Sequence, residues 1–326
     1  MSAELAPDFR PYYHQLHRVG RPGRWRSVVG SLLLLGLVFA VVPLLLGLAF
    51  VVGLMATGMS LDEASAIADV TREVTPLGLA MLNVVLGAAI PVTWFVAWLL
   101  HRLKPRWLSS VAPRLRWRYL LVCLPLSVVA LLASLAVATF LPLPEAQAPV
   151  GGLNDFTSRT RDFLIVIALL TPFQAAGEEY VFRGYLTQAF GSLTTRRRVA
   201  EALAVLGPAL IFALFHGLSQ DWPIFLDRLA FGIVAGILVL RTGGLEAAIA
   251  MHVLNNFLAF GLALAFGDMT EALTASGGGS WWTIPSTLTQ SVTYLLLASW
   301  VARSMGLVDR GPAVGAPELV ATPRPV

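Results

Sequence analysis

The sequence has few charged residues and almost no cysteine. Charged side chains make up only 13% of its 326 residues, against 56% hydrophobic ones, and the mean hydropathy is +0.73. This balance excludes an ordinary soluble domain, which would not stay in solution. The single cysteine, Cys123, excludes a disulfide framework and is expected to be a small core residue.

Lysine is also nearly absent, since 22 arginines stand against Lys104 alone. That bias favours a high-GC and therefore bacterial source. A sequence pI near 9.6 with a net charge of +4 would suggest nucleic-acid binding in a soluble protein. Here the basic residues lie in short segments between apolar runs, so membrane topology explains them better and no nucleic-acid partner is expected.

Long apolar runs are what the sequence does contain. A bilayer core of about 30 Å needs roughly 20 helical residues, and lipid cannot satisfy the polar groups of an irregular backbone. The fold expected is therefore all-α, a polytopic transmembrane helix bundle. The predicted spans are 27–56, 76–100, 119–143, 162–190, 202–219, 223–240, 245–267 and 282–302.

The distribution of Lys and Arg between the spans predicts the orientation. Eighteen of these residues lie in the segment before the first span and in the segments that follow the second, fourth, sixth and eighth spans. The other segments hold only three, which are Arg72, Arg159 and Arg161. Cytoplasmic loops are enriched in Lys and Arg. We therefore expect eight spans with both termini in the cytoplasm, in a multi-pass protein of a bacterial inner membrane.

A few ionisable or amide side chains lie within the predicted spans. Each ionisable one costs at least about 2.5 kcal/mol near the bilayer centre, so it needs a partner, a cavity or a function. Because no soluble catalytic domain is apparent, any chemistry is expected among them. The candidates among them are Glu178, Glu179, Arg183, His216, Asp227, Arg228, His252, Asn255 and Asn256.

The spacing of these residues predicts specific pairs. Glu179 and Arg183 are four residues apart, with Glu first, which favours a structural ion pair on one helix face. Glu178 lies about 100° around the helix and is left free to accept a proton. His252 and Asn256 are also four apart and project from one face.

Two histidines and a carboxylate from three helices can activate water in two ways. They can act as a general base with its partner, or as zinc ligands with an open position. Asn256 can donate an amide hydrogen bond to a developing oxyanion. Hydrolysis suits these groups, but a proton-coupled transporter also uses buried Glu and His, and residue spacing alone leaves it open.

Structural interpretations compete with these roles. A single membrane histidine, such as His216 or His252, is more often a hydrogen-bonding helix contact than a catalyst. Asp227 and Arg228 are adjacent near one end of a span and are interpreted as a local pair or as snorkelling residues, with substrate binding the less favoured alternative.

Three segments together resemble the motifs EExxxR, FxxxH and HxxxN of the CPBP family of intramembrane peptidases, the CAAX proteases and bacteriocin-processing enzymes. They are EEYVFRG from Glu178, FALFH from Phe212 and HVLNN from His252, in the family's order and without departure from its pattern. The resemblance extends from about Thr160 to Phe266. It implies an intramembrane endopeptidase as the leading hypothesis.

The resemblance also implies a role for each motif residue. Glu178 corresponds to the glutamate that activates water and His216 to the histidine that assists it. His252 and Asn256 correspond to the pair that orients water or stabilises the oxyanion. Glu179 and Arg183 correspond to supporting positions.

The family has been described both as glutamate-dependent and as metal-dependent, and we favour glutamate-dependent hydrolysis without a cofactor. If zinc is used, its ligands would be Glu178, His216 and His252. The expected partners are membrane lipid and a peptide or protein substrate. A prenylated substrate is not expected in a bacterial protein, and a non-proteolytic immunity or regulatory protein is the alternative function.

These expectations divide the chain. Residues 1–26 form a basic cytoplasmic segment, 27–159 three N-terminal helices, 160–267 the catalytic membrane domain, and 268–310 the last loop and helix. The tail from residue 311 and the start of the chain are expected to be disordered. To bring Glu178, His216 and His252 to one depth, we expect either a fifth helix that starts deeper, with a break at Gly207-Pro208, or a re-entrant or interfacial segment over Thr187 to Arg198.

Overall fold

The computed structural model describes residues 9–142, 152–216, 221–274 and 279–313. Within these ranges the fold is all-α, and none of the described residues forms a β-strand. The long helices are α1 (Arg24–Ala56), α2 (Pro76–His101), α3 (Trp117–Ala138), α4 (Ser158–Gly191), α5 (Arg197–Phe215), α6 (Trp222–Thr242), α7 (Glu246–Phe266) and α8 (Thr283–Ser304).

The helices confirm a polytopic helical membrane protein. Among the described residues, the seven from α1 to α7 are long and apolar enough to cross a bilayer, and most of their ends lie within a few residues of the predicted ones. The eighth predicted span also forms a helix of 22 residues, but it is less apolar than the other seven. Which side of the membrane the ends face remains a prediction.

The centre of the bundle is the contact between α4 and α7. Helix α2 packs along α4, and α3 packs along α7. Helices α5 and α6 pair with each other, and α8 lies against α3 and α6. Helix α1 is peripheral, because side chains such as Leu32 and Leu44 are about 70% exposed and present an apolar face to lipid.

Helix α4 is unusually long. Its 34 residues extend about 51 Å, well beyond a bilayer core. It is α-helical to Glu179, π-helical from Tyr180 to Leu186, and α-helical again to Gly191. Inserted π-helical turns are frequent at functional sites. This one follows immediately after the glutamate pair.

The expected break at Gly207-Pro208 and the expected re-entrant segment are both wrong. Thr187 to Gly191 continues helix α4, and α5 begins at Arg197 and passes Gly207 and Pro208 without interruption. Glu178 lies about 20 Å from the Gly191 end of α4, close to the distance that the predicted end at residue 190 implied.

A glycine allows α2 and α4 to approach closely. A Cβ atom built on Gly177 would lie 2.1 Å from the Leu86 carbonyl oxygen, which is far inside van der Waals contact. Only glycine therefore fits here without moving one helix. Since Gly177 precedes Glu178, this contact also sets the position of the carboxylate.

The segments before α1 and after α8 pack on the Gly191 end of the bundle. Tyr13 and Leu16 are fully buried, and the Gly311 amide donates to the Pro11 carbonyl at 2.8 Å. The expected disorder at the start of the chain is therefore wrong from residue 9 onward, because apolar side chains anchor it. Residues 1–8 and 314–326 lie outside the described residues. Cys123 is a buried free thiol, as predicted.

Candidate active site

The motif residues line one cavity of about 390 Å³ between α2, α4, α5 and α7. Its polar part holds Glu178, His216, His252 and Asn256, all four of the predicted catalytic residues. The rest of its wall is mostly apolar. The structure therefore brings these four side chains together, and their catalytic roles stay predictions.

Glu178 is buried, with 9% of its surface exposed, and its two oxygens differ. The Gln174 amide donates to Oε1 at 2.5 Å. Oε2 is buried, has no hydrogen-bond partner within the described chain, and lies 3.6 Å from Nε2 of His252. A buried carboxylate oxygen without a donor is costly and available to bind water.

Glu179 holds His252 in a defined orientation. Nδ1 of His252 lies 2.8 Å from Oε1 of Glu179. Because an ionised carboxylate only accepts hydrogen bonds, Nδ1 of the neutral ring carries the proton and Nε2 carries the lone pair. Nε2 is the atom that faces Glu178.

Arg183 compensates the charge of Glu179. Its Nη1 donates to Oε1 of Glu179 at 3.0 Å, and both side chains are almost fully buried. The guanidinium also lies over the Phe212 ring, 4.3 Å from its centroid. The predicted ion pair is confirmed, and Glu179 supports both the cation and the histidine.

His216 ends helix α5 and is more exposed than the other site residues. Its Nδ1 donates to the Phe212 carbonyl at 2.8 Å, since a carbonyl can only accept. The proton is thereby held on Nδ1, which leaves Nε2 as an acceptor in the cavity. The four-residue spacing from Phe212 thus fixes the tautomer.

Gln174 is a site residue that the sequence analysis missed. Its amide nitrogen donates to Glu178, while its carbonyl oxygen accepts from Nδ2 of Asn256 at 2.9 Å. One side chain therefore links the candidate base on α4 to the amide on α7. Its position, one turn before Glu178 in an apolar helix, was the available signal.

A second missed feature lies at the start of α7. Arg116 and Glu246 form a buried two-pronged ion pair, with Nε to Oε1 at 2.9 Å and Nη2 to Oε2 at 2.6 Å. Nη1 of Arg116 also donates to the Thr242 carbonyl at 2.8 Å. This clamp fixes the helix that carries His252, and nothing in the local sequence indicated it.

Asp227 and Arg228 do not form the local ion pair expected of them, because no salt bridge within 4 Å joins them among the described residues. Both line a smaller polar pocket of about 50 Å³ beside the motif residues. Arg228, but not Asp227, also lines the main cavity.

The donor set does not fit a metal ion in this arrangement. In the described part of the chain, no three His, Cys, Asp or Glu side chains are grouped closely enough to hold one. The alternative zinc ligands Glu178, His216 and His252 share the cavity without forming such a group. No step is therefore assigned to a metal.

The arrangement can activate one water molecule. Oε2 of Glu178 and Nε2 of His252 both present lone pairs, and their 3.6 Å separation allows a water to contact both. Asn256 has a second N–H beside the one given to Gln174. A base, an oriented histidine and an amide donor thus face one cavity.

Comparison with known proteins agrees with this geometry. Residues 160–258 match the family described as type II CAAX prenyl endopeptidase Rce1-like. The chain is also 24% identical over 233 residues to "Uncharacterized protein YyaK" of Bacillus subtilis (strain 168). The aligned region covers 68% of this chain and 75% of that protein. No solved structure matches. Residues 160–258, which hold all three motifs, are therefore similar to the Rce1-like CAAX endopeptidase family, within a multi-pass membrane protein.

Proposed function

We propose that the protein is an intramembrane endopeptidase that hydrolyses a peptide bond with a water activated by Glu178 and His252. The observation that carries this proposal is the free Oε2 of Glu178 beside Nε2 of His252. The Gln174 amide donates a hydrogen bond to the other oxygen of Glu178, and Nδ1 of His252 donates one to Glu179. These two bonds hold both side chains in position.

The reaction begins when Glu178 takes a proton from the bound water. The water oxygen bonds to the scissile carbonyl carbon, and the carbonyl oxygen becomes an oxyanion. The free N–H of Asn256 donates to this oxyanion. Glu178 then gives the proton to the leaving amide nitrogen, the oxyanion re-forms the carbonyl as the carbon–nitrogen bond breaks, and a carboxylic acid and an amine are released, between which the remaining proton equilibrates.

His252 and His216 have different functions in this scheme. His252 accepts a hydrogen bond from the water through Nε2 and keeps its proton on Nδ1 against Glu179. His216 also offers Nε2 to the cavity, where it accepts from the water or from the leaving N–H. Both act as orienting acceptors while they are neutral.

The substrate class follows from the cavity wall. Opposite the polar groups, the cavity is bounded by apolar side chains of α1, α2, α4 and α7, including Phe39, Leu79, Phe182 and Phe260. Such a wall accepts an apolar segment of a membrane-associated peptide or protein. The cleavage point then lies at the junction of the apolar and polar parts.

Purified protein and a library of membrane-partitioning peptides test this function. Wild-type protein is expected to release a new amino terminus, and Glu178→Gln is expected to release none. The same digest with a chelator and with added zinc tests the metal-free mechanism, in which neither changes the rate. Cleavage that survives Glu178→Gln contradicts the mechanism, whereas biological function retained by that variant favours a non-proteolytic role.

A further inference from the structure

A second polar pocket adjoins the candidate active site. It has a volume of about 50 Å³, room for a group of roughly three or four heavy atoms. His216, His252 and Asn256 belong to its wall and to that of the main cavity. Anything that occupies the pocket therefore touches a substrate held at the catalytic residues.

Side chains of α6, α7 and α8 supply the remaining wall. Thr287, Gln290 and Ser291 come from α8, and the Gln290 amide donates to the Asn255 side chain at 3.4 Å. Polar residues on three neighbouring membrane helices are costly unless they have a ligand or a partner. The proposed reaction uses none of these side chains.

Arg228 is the cation of this pocket. Its Nε is buried without a hydrogen-bond partner in the described chain. It makes no ion pair within 4 Å there, in contrast to Arg183, which pairs with Glu179 at 3.0 Å. A half-buried guanidinium whose Nε lacks a hydrogen-bond partner is costly, and an anionic ligand removes that cost.

Asp227 does not supply the missing partner. It lines only the smaller pocket, where its own Oδ1 is buried without a hydrogen bond in the described residues. Arg228 lines both cavities, and the larger one also holds the carboxylate of Glu178. Because Glu178 faces the catalytic water in the proposed reaction, Arg228 is left to bind an anionic group of the substrate.

We infer that Arg228 binds a carboxylate of the substrate, held in the pocket next to the scissile bond. The inference rests on the proposed endopeptidase function and adds to it a substrate class, peptides with a carboxylate close to the cleavage point. A planar guanidinium binds a carboxylate through two parallel hydrogen bonds. The carboxylate belongs either to the chain end or to an acidic side chain.

Matched peptide pairs test the inference and distinguish its two sources. One pair differs only in a C-terminal carboxylate or carboxamide, and the other only in Asp or Asn near the cleaved bond. The wild type is expected to prefer the acidic member of one pair by about tenfold to a hundredfold in kcat/KM. That pair identifies the source.

Variants assign the preference to the pocket. Arg228→Gln is expected to remove the preference, and Arg228→Lys, which keeps the charge and the fold, to retain part of it. Asp227→Asn is expected to increase it, because a repelling charge is lost. Arg161→Gln is the control, since Arg161 is exposed and far from both cavities. Equal losses for both peptides of a pair, or a preference that survives Arg228→Gln, overturn the inference.

A binding measurement separates this inference from the proposed function. Fluorescent forms of the same peptides are titrated against the Glu178→Gln protein, which does not need to cleave them. Tighter binding of the acidic member, lost in the Glu178→Gln/Arg228→Gln double variant, supports the carboxylate site even if no peptide is hydrolysed. Equal binding of both members contradicts it.

Discussion

His252 donates its Nδ1 hydrogen bond to Glu179, at 2.8 Å, and turns Nε2 towards Glu178, at 3.6 Å. The two adjacent glutamates therefore act on opposite edges of one imidazole ring. One edge is fixed by a carboxylate that Arg183 compensates, and the other faces the cavity. This division gives the two glutamates separable effects on mutation.

Glu178→Gln is expected to lower kcat by about 10²–10⁴ with little loss of stability, because the amide keeps the side-chain volume but cannot take a proton. Initial rates with a cleaved peptide and the detergent Tm measure the two effects. A variant with wild-type kcat would contradict the assignment of Glu178 as the base.

Glu179→Gln is expected to destabilise the fold as well as reduce activity. It leaves the Arg183 guanidinium buried without a counter-charge, which costs about 3–5 kcal/mol. It also releases Nδ1 of His252 from a carboxylate. A Tm clearly below that of Glu178→Gln is the expected outcome, and equal Tm values for the two variants would show that the pair has no structural role.

Gln174→Leu tests the bridge between the base and the amide. Loss of its two hydrogen bonds is expected to lower kcat by about tenfold or more while KM changes little, because Glu178 and Asn256 lose their orientation. Gln188→Leu is the matched control. Gln188 is also buried on α4, but it bonds to the Trp107 carbonyl away from the cavity.

The control variant is expected to lower the Tm and leave kcat unchanged. If both substitutions reduce kcat equally, Gln174 acts only through general stability.

Gly177→Ala is expected to lower the Tm and to reduce kcat, since its Cβ would collide with the Leu86 carbonyl oxygen. The backbone must move, and Glu178 moves with it. Gly47→Ala is the control, because an added Cβ at Gly47 meets nothing within 4 Å and α1 gains a better helix former. A neutral Gly177→Ala would mean that the helices separate at little cost.

The buried N-terminal segment is expected to loosen as the pH falls. Burial lowers the pKa of His14 to about 4 and that of His17 well below its ordinary value, with His101 adding to the effect on His17. Both rings are neutral when packed, and the released segment takes up protons near pH 6.5. The free energy that holds this segment on the helix bundle is therefore largest above about pH 6.5 and is lost as the pH falls towards 4.

Hydrogen exchange of residues 9–23, corrected for intrinsic rates, measures this loosening between pH 7.5 and 5.5. His17→Phe is expected to weaken the pH dependence, because both ring nitrogens of His17 lack hydrogen bonds and its ring stacks on His101 at 3.8 Å. Protection that stays constant with pH would contradict the expectation.

The parts of the site that the sequence could predict are those set by helix periodicity. The pair of Glu179 and Arg183 and the shared face of His252 and Asn256 follow from four-residue spacing, which places side chains on one face whatever the tertiary fold. The spans followed from apolar length in the same way.

The rest depends on contacts between distant segments. Gln174 acquires its role from Asn256, 82 residues away, and Arg116 meets Glu246 across 130 residues. No local pattern encodes such partners.

The hydrogen bond between the Gly311 amide and the Pro11 carbonyl has a topological consequence. Residues 11 and 311 lie at the same end of the bundle, so the chain between them crosses an even number of times. Seven crossings would separate them, so we expect α8 to be an eighth span despite its weaker hydropathy. Its polar residues Thr287, Gln290 and Ser291 line the pocket beside the active site, which accounts for the weaker hydropathy of α8. The even number of crossings thus predicts a span that composition alone would not identify.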